Sequence, residues 1–310
     1  MIIDFQAHYL PKAYLKIVDA TTKIQAKERY AMFSNLVDTS ERLEIMDKYG
    51  VDTQVIGSFG WPELLDSRTE LLVSKASNEE LASLAESHRS RFVGLATLPL
   101  QSIGDAEDEL ERAVSDLGLR GIWLPSNIRG KTLDSPMLYP IFERCCKHDV
   151  PIFIHPDLAY TFGDRFLAVM EEYSLSYTLG FLYDSSFSVL RFVLSGCFDK
   201  YPSLKLVMPH LGGVLPYLAG RIDQGWQRHK SPTKHAPSYY LKMIYVDTVS
   251  SFPPAFSCVR ELQGSDKIVF GTDYPYWEVE DALRFVRDLQ ITQEEREKIF
   301  FRNSKILLHL

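Results

Sequence analysis

"MIIDFQAHYLP" (residues 1–11) sets a short apolar run, Met1 to Phe5, directly against Gln6-Ala7-His8. Alternate residues of an extended segment point to the same side, so Gln6 and His8 share a face at the end of a first strand. The pattern beyond this strand decides the fold. No GxGxxG comes after it, which removes the dinucleotide-binding signature of an open doubly wound sheet. Seven further β-type runs recur downstream, at 53–58, 92–97, 121–124, 151–154, 204–208, 243–246 and 267–270. Segments of helical periodicity separate them, at 39–49, 68–88, 104–117, 136–148, 185–200, 214–228 and 279–289. In 104–117, Ala106, Leu110, Ala113, Val114 and Leu117 form one apolar stripe, with Glu107, Asp108, Glu111 and Arg112 outside it. Thr39 or Ser40 is placed to cap the helix at 39–49, and Gly50 to end it.

Eight strands alternating with helices predict a parallel sheet closed into a (β/α)8 TIM barrel, one domain over residues 1–310. Residues 10–39 contain no strand pattern and read as an insertion after strand one, partly helical and lying over the barrel mouth. Lys12, Lys23, Lys27 and Arg29 make that insertion polar.

Composition narrows the function. The chain has 310 residues, of which 45% are hydrophobic and 24% charged, as in an ordinary soluble globular protein. A net charge of −7 argues against nucleic acid or an anionic membrane surface as the main partner. No run approaches the ~20 apolar residues of a membrane helix, and no secretion signal is expected, since residues 1–11 lack a basic segment followed by an apolar run. The four cysteines show no CxxC spacing, and adjacent Cys145-Cys146 reads as a reduced pair on a helix. A cytoplasmic protein is expected.

In a barrel, chemistry gathers at the C-terminal ends of the strands. Strand one ends in Gln6-Ala7-His8. Strand five ends in "PIFIHPD" with His155, strand six in "KLVMPHLGG" with His210, and strand eight in "KIVFGTDYPY" with Asp273. Taken singly, a histidine in such a place is more often a hydrogen-bonded structural residue, and Asp273 alone could be a turn residue. Taken together, ends one, five, six and eight make a constellation suited to a divalent transition metal, because imidazole and carboxylate both ligate such ions. Near the same mouth stand Phe5, Trp61, Trp123, Tyr160, Tyr274, Tyr276 and Trp277, for which core packing is the default. Trp123 is placed to stack on a planar substrate, with core packing as the alternative. Asn127 is a hydrogen-bond donor to the same ligand or a turn cap.

The blocks "KYGVDTQVIGS" (48–58), "RFVGLATLPL" (91–100), "PIFIHPD" (151–157), "LVMPHLGGVLPYLAGRI" (206–222) and "FGTDYPY" (270–276), with "RNS" (302–304) after them, resemble the amidohydrolase superfamily. Their order and spacing are similar to its branch of aminocarboxymuconate-semialdehyde and γ-resorcylate decarboxylases. The resemblance implies one divalent metal, zinc or manganese, held by His8, His155 and Asp273 with Gln6 in the fourth position. It implies His210 beside the metal, handling protons, and a homodimer in which an arginine near Arg228 reaches the neighbour's substrate. Arg228 is alternatively a solvated helix-end residue, and Arg221 is expected in a structural ion pair.

The family pattern at position 6 is histidine or glutamate. Glutamine offers only an uncharged amide oxygen. A glutamate-type donor set presents two negative charges to a dication, and this one presents one. Metal binding is weakened, and three good ligands still suffice for a catalytic zinc. The leading expectation is a metal-dependent decarboxylase acting on a small aromatic or dienoic carboxylic acid, with His210 and Asp273 as catalytic residues. A hydrolase opening a lactone or amide, with or without metal, uses the same residue types and is the alternative. An inactive or ligand-binding homologue is the third reading, supported by Gln6 and opposed by the joint presence of the other four.

Overall fold

The computed structural model describes residues 1–23, 26, 34–58, 65–158, 169–229 and 231–310. Lys27, Arg29, Trp61 and Tyr160 lie outside the described residues. Eight strands form one sheet in chain order: β1 (Ile3–Tyr9), β2 (Thr53–Ser58), β3 (Phe92–Thr97), β4 (Ile122–Pro125), β5 (Ile152–His155), β6 (Leu206–Met208), β7 (Tyr245–Asp247) and β8 (Ile268–Val269). The registered pairs run parallel. Helices connect them: α1 (Lys12–Thr21), α2 (Thr39–Tyr49), α3 (Ser67–Ser87), α4 (Ile103–Ser115), α5 (Tyr139–His148), α6 (Phe181–Leu194), α7 (Leu215–Arg228), α8 (Pro253–Gln263) and α9 (Val279–Asp288). This is the (β/α)8 arrangement that the alternation predicts. Among the described residues, no helix is long and apolar enough to cross a membrane.

The chain divides into two compact units, Met1–Trp123 with Val269–Leu310, and Leu124–Ile268. In the first unit, β1 is longer than its apolar run and carries Gln6 and His8 within the strand. All seven of its residues are buried. Asp4, Gln6 and His8 alternate with Ile3, Phe5, Ala7 and Tyr9, so the strand buries a polar row as well as an apolar one. Its pairing with β2 shifts register between Asp4 and Ala7, and such an irregularity re-aims the side chains around it. The stripe of α4 is inward as expected at Ala106, Leu110 and Ala113, while Val114 and Leu117 are half-buried.

Helix α2 has the predicted span, but its cap is Asp38, not Thr39 or Ser40. The Asp38 carboxylate accepts from the Ser40 and Glu41 amides, and Gly50 closes the helix in the left-handed conformation. Helix α1 begins at Pro11 with no side-chain cap of its own. Glu80 of α3 supplies one from a distance, accepting from the Lys12 amide at 2.8 Å, the Ala13 amide at 2.9 Å and the Tyr9 hydroxyl at 2.9 Å. A carboxylate there answers both the unpaired amides and the positive end of the helix.

In the second unit, the helix expected at 185–200 is two pieces, α6 and Cys197–Lys200. Gly196, at φ 83°, breaks it, because that backbone conformation cannot continue a right-handed helix. The segment 136–148 likewise opens with a 3-10 turn, Pro136–Leu138, before α5.

Candidate active site

The first unit brings Gln6, His8 and Asp273 together. His8 Nε2 lies 2.7 Å from Asp273 Oδ1, and Gln6 Nε2 donates to the same oxygen at 3.1 Å. Asp273 sits in the left-handed region, at φ 60°. Main-chain bonds hold it there: its amide donates to the Gln6 carbonyl at 2.8 Å, and the His8 amide donates to the Tyr274 carbonyl at 2.7 Å. A non-glycine residue kept at positive φ by its surroundings is a common mark of a functional position. Two rings meet the His8 imidazole edge to face, Trp123 at 5.3 Å and Tyr276 at 5.2 Å between centroids. Trp123, expected as a stacking surface, is thus buried and already fixes the orientation of the imidazole.

A polar network that the motifs did not reveal runs behind this pair. Asp4 is buried and accepts from Thr272 Oγ1 at 2.6 Å, the Thr272 amide at 2.9 Å, Gln54 Nε2 at 3.0 Å and the Gln6 amide at 3.3 Å. Burial pushes its carboxyl up to about 6, while the bonds from Thr272 and Gln54 pull the other way. Arg42 of α2 donates to Gln54 Oε1 at 2.9 Å, to the Asn35 carbonyl at 3.1 Å and to the His8 carbonyl. Its guanidinium also lies 4.7 Å from the centre of the Tyr274 ring. Burial lowers its pKa to about 10. Asp4 stands two residues before Gln6 on the same polar row, but its partners Gln54 and Thr272 are distant in the chain. Arg42 gave no signal in the sequence, since a single arginine in an amphipathic helix reads as solvated.

In the second unit, His155 closes β5 and His210 begins the turn after β6. His210 and Leu211 both take positive φ, 58° and 52°. The His210 amide donates to Asp247 Oδ1 at 2.8 Å, and the Val249 amide shares that oxygen at 3.0 Å. Asp247, fully buried at the end of β7, holds the His210 turn and was not singled out by the motif reading. The turn is completed by Gly213, where a Cβ would fall 2.4 Å from Ser186 Oγ and 2.8 Å from the Leu182 carbonyl. The His-Pro-Asp turn after β5 is anchored in the same way. The Asp157 amide donates to Asp184 Oδ2 at 2.9 Å and to Ser126 Oγ at 3.0 Å.

The remaining candidates divide among turns, surface and core. Asn127 Nδ2 donates to the Asp157 carbonyl at 2.8 Å and its Oδ1 accepts from the Gly130 amide at 2.9 Å, so its amide is engaged in holding turns. Arg228 is exposed in the last turn of α7. Arg221 is exposed as well and, among the described residues, forms no ion pair, contrary to expectation. An arginine on the outer face of α7 stays hydrated at no cost, whereas an exposed pair gains little. Lys23 is exposed. Trp277 is also exposed, and Phe5 is core.

The donor set suits a divalent cation. His8 offers an imidazole, Asp273 a carboxylate, and Gln6 an amide oxygen, Oε1, that is buried without a hydrogen-bond partner among the described residues. An orphaned buried acceptor is costly unless something occupies it. Among the described residues, no three His, Cys, Asp or Glu side chains form a ready cluster.

A family model for amidohydrolases matches residues 3–310. The chain is 30% identical to the 2-amino-3-carboxymuconate-6-semialdehyde decarboxylase of Dictyostelium discoideum, over 88% of this chain and 81% of that one. Among solved structures it is similar to a 5-carboxyvanillate decarboxylase from Sphingomonas paucimobilis, at 24% identity and a TM-score of 0.90, covering 100% and 99% of the two chains. It is also similar to a dihydroxybenzoic acid decarboxylase from Polaromonas sp. JS666 with bound manganese and the inhibitor 2-nitroresorcinol, at 26% identity, a TM-score of 0.86 and coverage of 100% and 97%. With the match running almost end to end, the chain belongs to the amidohydrolase family.

Proposed function

We propose that this protein is a metal-dependent carboxy-lyase that removes carbon dioxide from a small aromatic or dienoic carboxylic acid. The observation that carries the reading is the pairing of His8 Nε2 with Asp273 Oδ1 at 2.7 Å, in a chain whose relatives are named as decarboxylases. His8 and Asp273 are the proposed ligands of one cation, manganese or zinc, with the Gln6 amide oxygen as a further and weaker donor. When bound, the cation supplies Lewis acidity and a template for the substrate's carboxylate and a neighbouring oxygen.

The protein's own residues do the rest. Trp123 and Tyr276 hold the His8 ring, and the Gln6 amide keeps Asp273 oriented. Asp273 delivers a proton to the ring carbon that bears the carboxylate. The bond to the carboxylate carbon then breaks, its electron pair returns to the ring, and carbon dioxide leaves. Trp123 also borders the substrate, and Arg228 is proposed to serve the neighbouring subunit of a homodimer. Exposed Tyr173, Tyr177, Tyr183 and Phe187 in the second unit support association. Sedimentation velocity at micromolar concentration should read twice the chain mass, and a monomer would remove the role of Arg228.

The test of the reaction is isotopic. Protein loaded with manganese or zinc is incubated with carboxyl-labelled hydroxybenzoates, 2,6-dihydroxybenzoate first because a related structure is complexed with it. Labelled carbon dioxide is the expected product, lost on substitution Asp273→Asn. Ring opening of lactones or cyclic amides with no carbon dioxide from any acid would replace this reading with the hydrolase.

A further inference from the structure

Arg42 is the only buried arginine among the described residues. It belongs to α2, not to any strand end, and it touches none of the donor atoms of the proposed metal site. Yet its side chain meets both segments that carry them. One amino group, Nη2, donates to the carbonyl of His8 on β1 and to that of Asn35. The other, Nη1, donates to Gln54 Oε1, and Gln54 passes the connection to Asp4 through its own Nε2 at 3.0 Å. Asp4 in turn accepts from both the amide and the hydroxyl of Thr272, the residue before Asp273. The face of the guanidinium covers the ring of Tyr274, the residue after Asp273.

Asp273 is therefore held from both neighbours by one network that ends on the His8 carbonyl. A charge this deeply buried is expensive, and an apolar side chain of similar volume would fill the space at lower desolvation cost. What only arginine offers is a rigid fork with donors in several directions and a planar face that stacks.

We propose that Arg42 is a positioning residue that sets the relative placement of His8 and Asp273, and through it the metal affinity of the site. The inference rests on the reading of His8 and Asp273 as ligands. Partners that orient ligands from behind typically govern affinity by about 10–100-fold.

The experiment compares wild type with Arg42→Lys and Arg42→Met. Folding is followed by circular dichroism, and the dissociation constant for Mn²⁺ by the paramagnetic resonance of the free ion. Both variants should bind Mn²⁺ about 10–100-fold more weakly while folded, and lysine should restore little, because one ammonium cannot make the fork. A folded variant that binds within twofold of wild type overturns the proposal, and Arg42→Lys decides alone if the methionine variant does not fold. Should wild type bind neither Mn²⁺ nor Zn²⁺, the metal-site reading fails first. The ¹⁵N resonance of His8 Nε2 in the metal-free protein then decides the positioning role. It should move in Arg42→Lys, since it reports the contact with Asp273, and an unmoved resonance overturns the inference.

Discussion

The donor properties of this site turn on one side chain. Gln6 keeps the length of a glutamate but not its charge, and its two amide ends are used differently. The nitrogen donates to Asp273 at 3.1 Å, and the oxygen is buried without a partner. A carboxylate at position 6 could not make that donation, and would instead repel Asp273 in the absence of a cation. Gln6→Glu therefore trades an ordered metal-free site for a stronger metal site. Elemental analysis and Mn²⁺ titration should show affinity rising by roughly tenfold or more, about 1.4 kcal/mol. The same variant stripped of metal should be less stable than wild type. Unchanged affinity would mean that position 6 does not face the cation.

At the scale of elements, the site depends on how closely strands approach. Gly57 of β2 faces the Trp123 ring of β4 so tightly that a Cβ at residue 57 would fall 2.1 Å from Trp123 Cε3. Glycine is required here for contact and not for backbone freedom. Because the same ring makes an edge contact with the His8 imidazole, Gly57→Ala should disturb that contact. Overpacking of this kind costs about 1–3 kcal/mol. Urea unfolding should show the midpoint lowered with an unchanged slope, as expected when stability falls but the unfolded state is unaltered. A midpoint equal to wild type would show that the ring has room to yield. The turn after β6 obeys the same logic, with Gly213 admitting no side chain and Asp247 holding the His210 amide.

For the whole molecule, the buried polar row of β1 has a consequence for stability against pH. Asp4 titrates at about 6 when folded, against an ordinary 3.8. Between about pH 4 and pH 6 the unfolded chain has lost that proton while the folded chain keeps it. Stability from this group therefore falls as pH rises through the window, by about 2–3 kcal/mol in all, and levels off above it. The stability difference between wild type and Asp4→Asn, measured by urea unfolding at pH 4, 5, 6 and 7, should shrink or reverse with that sign. A difference that grows with pH would mean that Asp4 is charged throughout.

Much of this could be read from the chain alone. Period-two and helical patterns located all eight strands and α2 to its ends, because burial of alternate or every third and fourth residue is written locally. The strand-end motifs named His8, His155, His210 and Asp273 for the same reason, since the end of a strand is a local feature. Asp38 as a cap, the break at Gly196, and the roles of Asp4, Arg42 and Asp247 were not legible. The roles of Asp4, Arg42 and Asp247 depend on partners 12 to 268 residues away, the Asp38 cap on competition between neighbouring caps, and the break on the backbone conformation Gly196 adopts. The sequence by itself determined the parallel alternating fold and the residue types of its chemistry. Only the tertiary structure decided that Gln6 hydrogen-bonds Asp273 and that a buried arginine holds the two strand ends in register, because those contacts exist only once distant segments have closed around them.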